Sequence, residues 1–259
     1  GLLIWLGLRP MRDQWIALGL IMFGYWLAFA LYPVPDASFD YSKVGVPPDS
    51  PHLMTGFAAH WNKNSNLAWA FDTWFLNLFP RIKPFTYNGG GYATLSFIPT
   101  LGTMILGAIA GGIVRSGRPQ RDKIKWFVCA GLIGLLAGFA LNALGVCPSV
   151  KRIWTPSWTL FSGGWCFLLL AAFYWIIDVA GFNRWAFPLV VIGMNSIAAY
   201  CMAGLFESFI FSALRTHLGA KTFAIFGAPY ETLVSGGCVL LVLWGILFWM
   251  FRRKIFLRI

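Results

Sequence analysis

Six apolar stretches dominate this sequence, at about residues 14–32, 94–114, 126–146, 158–178, 187–211 and 233–251. Each holds roughly 20 residues, and a helix of that length crosses the ~30 Å hydrocarbon core of a bilayer. Inside that core every backbone N–H and C=O must be paired within the protein, which leaves helices as the solution for stretches of this kind. We therefore expect an all-α polytopic transmembrane bundle with six full spans. Composition excludes a soluble domain: only 11% of the 259 residues are charged and 58% are hydrophobic, whereas soluble domains carry about 25% charged residues.

Gly1 to Leu8 is also apolar but too short to span. It reads as the tail of a helix that begins upstream, so the chain is expected to be the C-terminal part of a longer membrane protein, with 1–259 as a single transmembrane domain. The formal net charge is +11, yet the cations sit in short clusters between apolar runs, where they set membrane orientation rather than bind nucleic acid. One set comprises Arg9 and Arg12; Arg115, Arg118, Arg121, Lys123 and Lys125; Arg184; and Arg252, Arg253, Lys254 and Arg258. The sparser set comprises Lys43, Lys63, Arg81, Lys83, Lys151, Arg152, Arg215 and Lys221. The denser set places the C-terminus in the cytoplasm and the long loop 33–93 outside it. That loop has no usable N-glycosylation acceptor, which favours a bacterial inner membrane over a lysosomal one. The five cysteines form no C-x-x-C pair, so neither a metal site nor a disulfide framework is expected.

Within the loop, Pro33, Pro35, Pro47, Pro48 and Pro51 predict irregular backbone. Residues 66–79 predict a short outer interfacial helix, because Leu67, Ala70, Phe71, Trp74, Phe75 and Leu78 make one apolar stripe. Asn88-Gly89-Gly90-Gly91 predicts a permissive turn; no Lys-Ser/Thr follows, so it is not a P-loop. Gly107 with Gly111, and Ala130, Gly134, Gly138 and Asn142, predict faces where helices approach closely. Pro99 is expected to bend its span.

Polar residues in or beside spans are candidate functional groups, because lipid makes them costly. In the fifth span Ser196, Tyr200, Ala203 and Glu207 share one face, with Asn195 beside them, forming a polar seam that reads as a substrate tunnel or as hydrogen bonding to a neighbouring helix. Asp178 ends its span and marks a water boundary. In Lys151-Arg152-Ile153-Trp154-Thr155-Pro156-Ser157-Trp158, two cations and two indoles could hold an anionic or sugar ligand or serve as an interfacial anchor; Lys151, Arg152, Trp154 and Ser157 are its candidates. His60, Asn62, Asn66 and Asp72 form the dense polar cluster of the loop. They are candidates for ligand contact, and His60 is also a candidate general base.

Several of these stretches occur in an order that resembles the C-terminal half of the heparan-alpha-glucosaminide N-acetyltransferase family. They are Tyr32-Pro33-Val34-Pro35, Asn88 to Leu95, Leu101 to Gly107, Lys151 to Trp158, Gly193-Met194-Asn195-Ser196 and the tail Arg252 to Ile259. The resemblance implies transfer of an acyl group across the membrane, from cytoplasmic acetyl-CoA or another acyl-CoA as co-substrate to an amino sugar or saccharide acceptor outside. The family's catalytic histidine belongs to an earlier loop, before the matching part, and His60 does not match it. Where the family has Gly-His-Glu this sequence has Met202-Ala203-Gly204, while Glu207 matches the family's downstream glutamate. No catalytic residue is therefore carried over. The competing expectations are a transporter or flippase for a lipid or saccharide and a structural anchor subunit. Membrane lipid, the saccharide acceptor and a second copy of the chain are the expected partners.

Overall fold

A computed structural model describes residues 2–36, 38–47 and 49–257; the expectations for Gly1, Pro48, Arg258 and Ile259 fall outside the described residues. Among these residues all regular elements are helical. Six helical segments are long and apolar enough to cross a membrane: Met11–Leu31, Thr94–Arg115, Gln120–Ala143, Pro156–Val179, Ser196–Leu218 and Ala228–Arg252. The chain is an integral membrane protein with an all-α polytopic fold. Its residues group into two compact units, 1–175 and 176–259.

The first unit contains α1 (Leu2–Gly7), α2 (Met11–Leu31), α3 (Leu67–Leu76), α4 (Phe97–Arg115), α5 (Gln120–Ala143) and α6 (Pro156–Tyr174). One end carries the loop between α2 and α4 and is called here the loop face; the other carries Arg115 to Lys125 and is called the basic face. The core near the basic face joins Leu18 and Met22 of α2 to Ile105, Ile109 and Ile113 of α4 and to Phe127 and Phe167 of α5 and α6. Nearer the loop face, Tyr25 and Phe29 pack with Trp61, Ala68 and Ile153.

The tightest pairing is α5 on α6, where glycines bring backbone onto backbone. A Cβ on Gly134 would lie 2.9 Å from the Leu160 carbonyl, one on Gly138 2.6 Å from the Ser157 carbonyl, and one on Gly164 2.7 Å from the Gly131 carbonyl. The Gly134 and Gly138 stripe thus serves the close approach its spacing suggests. Gly107 does not: a Cβ there would meet nothing within 4 Å, and one on Gly111 would meet only the Arg115 guanidinium, at 3.8 Å. Pro99 falls in the first turn of a continuous α4, where the missing N–H has no intrahelical partner to lose. The expected bend therefore has no cause at that position.

The stripe on α3 also differs from a buried one. Ala68 and Asp72 are its buried residues, while Trp74 and Leu78 are each 60% exposed. Apolar side chains facing outward beside transmembrane helices suit a helix lying in the membrane interface.

The second unit contains α7 (Phe187–Met194), α8 (Ser196–Leu218) and α9 (Glu231–Arg252). It corrects the expected span 187–211. That run is two helices, interrupted at Asn195, whose backbone leaves the helical region at φ −134°, ψ 43°. The apolar run is continuous, so composition does not reveal the break; a tertiary bond made by Asn195 does. The membrane-crossing helix is α8, whose 23 residues extend ~34 Å. It packs on α9 through Ile210 against Val239 and Leu243.

Filling the α5–α6 seam should be costly and filling the Gly107 surface should not. Gly164→Ala is expected to destabilise the detergent-purified protein by about 1–3 kcal/mol through overpacking. Gly107→Ala should be neutral or stabilising by up to ~1 kcal/mol through helix propensity. Thermal unfolding of the two variants side by side checks this, and equal midpoints would contradict the packing described.

Candidate functional site

The loop face of the first unit is built by side chains that pair an irregular backbone. Asn62 is 2% exposed; its Oδ1 accepts the Met54 N–H at 2.8 Å and its Nδ2 donates to the Met54 carbonyl at 2.9 Å. Asn66 caps α3 by accepting the Trp69 N–H at 3.0 Å and donates to the Asn62 carbonyl at 2.8 Å. Asp72, 4% exposed, accepts the Thr94 N–H with both carboxylate oxygens, at 3.1 and 3.0 Å. Its negative charge therefore sits at the entry to α4, where a helix N-terminus favours an anion. His60 Nδ1 lies 2.7 Å from the Tyr32 carbonyl. A carbonyl only accepts, so Nδ1 carries the proton in that bond. The cluster read as ligand-binding is thus largely a scaffold.

The segment 151–158 behaves similarly. Ser157, fully buried, donates to the Pro148 carbonyl at 2.9 Å, and Thr155 Oγ1 accepts the Val150 N–H at 2.9 Å. Trp154 adopts the left-handed region at φ 52°, ψ 52°, which is rare for a bulky residue. Its indole donates to Thr103 Oγ1 at 2.9 Å. The Tyr25 hydroxyl closes the turn by donating to the Ile153 carbonyl at 2.8 Å. Every one of these contacts fixes the turn and leaves Lys151 and Arg152 exposed on its outer side.

Those two cations border a cleft of about 590 Å³ on the loop face. Asn66 also lines it, and so do Trp61 and Lys63 from the same polar segment and His52, which sequence reasoning did not select. His60, Asn62, Asp72, Trp154 and Ser157 do not. Lys63 donates to the Gly89 carbonyl at 2.7 Å, so the triple-glycine turn holds a cation against the cleft. Gly91 needs to be glycine, since its φ is +74° and a Cβ would lie 3.1 Å from the Lys63 side chain. His52 lies just beyond the proline-rich stretch, where no periodicity marks a residue as inward. Among the described residues no carboxylate lines the cleft, so its field is positive and suits an anionic or hydroxyl-rich ligand.

Nearby titratable groups are held by local bonds and burial. The Ser38 hydroxyl and N–H on Asp36 keep that carboxyl below its ordinary range, and Ser42 does the same for Asp40. Burial pushes the Cys147 thiol up, which makes it a poor nucleophile.

In the second unit the polar seam divides. Asn195 is fully buried; its Nδ2 donates to the Ile255 carbonyl and its Oδ1 accepts the Leu257 N–H, both at 3.0 Å. It serves as a structural clamp. Ser196 is exposed and Tyr200 is 84% exposed, so neither packs on α9. Glu207 lines a groove of about 430 Å³ between α8 and α9 together with Arg215, Glu231 and Ser235. Arg215 pairs with Glu231 at 3.8 Å. Glu207 has no hydrogen bond or ion pair among the described residues, so its carboxylate is free to meet a ligand. Among the described residues no cluster of three or more His, Cys, Asp or Glu could hold a metal.

Asn195→Ala should release residues 255–257 and destabilise the protein by about 1–3 kcal/mol, since it removes both bonds that hold the tail, to the Ile255 carbonyl and from the Leu257 N–H. Limited proteolysis of the purified variant should cut near residue 255 at protease levels that spare the parent; equal resistance would contradict the clamp. No protein-family model matches the chain, and no curated protein matches it either.

Proposed function

We propose that the chain acts as a transmembrane acyltransferase, moving an acyl group, acetyl in the simplest case, from acyl-CoA to an amino sugar or other saccharide seated in the loop-face cleft. The observation that carries this is the cleft itself: a built cavity walled by Lys63, Lys151, Arg152 and His52 and held by the buried side chains of Asn62, Asp72 and Ser157, each engaged by a backbone partner. The resemblance to the acetyltransferase family supplies the reaction class. With the basic face toward the cytoplasm of a bacterial inner membrane, the acceptor cleft opens on the far side.

In the reaction, the acceptor amine or hydroxyl attacks the thioester carbonyl. A C–N or C–O bond forms, the C–S bond breaks, and coenzyme A leaves as the thiol after taking up the proton that the acceptor gives up. His52 is the histidine on the cleft wall and is suited to relay that proton. The cationic walls orient the acceptor, and exclusion of water protects the thioester.

The helix break at Asn195 is the feature that would favour a transporter, because broken helices mark transporter sites at the bilayer midplane. Here α8 alone is long enough to span, so the break lies at its end. The Asn195 amide is also consumed by the tail. This weighs toward the enzyme.

The test is transfer of labelled acetyl from acetyl-CoA to glucosamine by the purified protein in liposomes. Replacing both Lys151 and Arg152 by alanine should raise the acceptor KM about tenfold, the effect of losing ~1.5 kcal/mol of charge-assisted bonding, with kcat nearly kept. Folded protein that neither binds acetyl-CoA nor acetylates glucosamine would sink the reading, and glucosamine uptake without acetylation would turn it to transport. An unchanged KM would remove the acceptor from this cleft. A parallel Glu207→Ala variant asks whether the α8 groove contributes to donor binding.

A further inference from the structure

A second cavity lies within the membrane-spanning part of the first unit, away from the loop face. It is a groove of about 570 Å³ between α4 and α6, walled by Gly107, Ala110 and Gly111 on one side and Cys166, Phe167 and Leu170 on the other. Arg115 stands at its end. The two helices touch where Gly163 meets Leu106, at 2.8 Å from a Cβ on the glycine. The small-residue pair at 107 and 111 is not used in helix packing, since a Cβ on Gly107 would meet nothing within 4 Å. An apolar groove among membrane spans has hydrocarbon rather than water for its neighbour. Leaving it empty would forfeit the dispersion contacts of its walls.

The end of the groove indicates what fills it. Arg115 folds back so that its Nε donates to the Gly111 carbonyl at 3.3 Å, which lays the guanidinium over the groove floor. Arg118 follows in the α4–α5 turn and Arg121 and Lys125 in the first turns of α5, all exposed, and with Arg115 they make no ion pair among the described residues. Lys123 differs: it is 8% exposed and its Nζ donates to the Val114 carbonyl at 2.7 Å, so it braces the turn. From Thr103 to Arg115 the groove runs ~18 Å along α4, close to one leaflet of a ~30 Å core.

We propose that this groove holds one acyl chain of an anionic phospholipid, with the lipid phosphate on Arg115 and on Arg118, Arg121 and Lys125 beside it. A small-residue face of this kind could also seat a second transmembrane helix. A two-fold partner packed through parallel copies of α4 would, however, set Arg115 and its neighbouring cations against their own copies. An anionic headgroup complements those charges, and each cation near a lipid surface adds to the attraction.

The test compares dioleoyl phosphatidylglycerol with dioleoyl phosphatidylcholine, which share their tails. Each is added to the purified full chain in neutral detergent, with native mass spectrometry and thermal shift as readouts. The parent protein should retain the glycerol lipid and be stabilised by it, with little response to the choline lipid. Arg115→Gln should weaken the glycerol lipid about fivefold. Gly107→Leu, whose side chain enters open space, should abolish its retention while keeping the lipid-free melting temperature. Equal response to the two lipids would overturn the proposal, as would undiminished retention by Gly107→Leu. A parent dimer that Gly107→Leu converts to monomer would assign the groove to a second copy instead. Should Gly107→Leu fail to fold, the lipid preference of Arg115→Gln decides alone, and an unaltered preference would overturn the assignment.

Discussion

An irregular chain at a membrane surface must find partners for its backbone N–H and C=O groups without the regular ladder of a helix. Between α2 and α4 the protein meets this requirement with amide and carboxylate side chains. Asn62 takes both polar groups of Met54, Asn64 reaches the Val44 carbonyl, Asn77 brackets Phe85, and Asp72 receives the entry to α4. Each such bond contributes about 0.5–1.5 kcal/mol net, while leaving the buried group unpaired would cost more. Because these side chains are consumed in holding the loop, the cleft is left to the residues that face outward from it, which are Lys63, Lys151, Arg152 and His52. The positive field of the cleft is therefore a by-product of where the acids and amides had to go.

The same spacing of glycines serves two ends in the first unit. Gly134 and Gly138 let α5 press its backbone onto α6, and Gly131 and Gly164 complete that seam. Gly107 and Gly111, four residues apart in the same way, face a groove instead. A small-residue pair tells only that something approaches the helix closely. Its neighbours decide whether that is another helix or a lipid chain.

The class of the fold was legible because lipid imposes a length and a composition that few other structures share; five of the six spans lie within a few residues of the apolar runs. The interfacial helix was legible from its stripe, and Asn66 begins it as a cap. The break at Asn195 was not, because the apolar run continues through it and its cause lies some sixty residues away, at Ile255 and Leu257. The site was half legible. Lys151 and Arg152 stand out as charges beside a span, and they do line the cleft. Asn62, Asp72 and Ser157 were singled out for the same polarity, yet each is spent on a backbone partner. His52 was passed over because an exposed loop residue carries no periodic signal; only the folding of the proline-rich stretch toward 148–153 gives it a place.

The bonds between Asn195 and residues 255–257 close the second unit into a ring of chain, with α8 and α9 as its arc. A ring closed by its latest segment cannot lock while that segment is still being made. Synthesis runs from the N-terminus at about 5–20 residues per second, so α7 and α8 enter the membrane several seconds before the residues that fasten them exist. During that interval the buried amide of Asn195 must be answered by something else, whether water, lipid headgroups or the insertion machinery. The order of manufacture thus gives this unit a waiting period that the helical hairpin of α5 and α6, closed by neighbours along the chain, does not have.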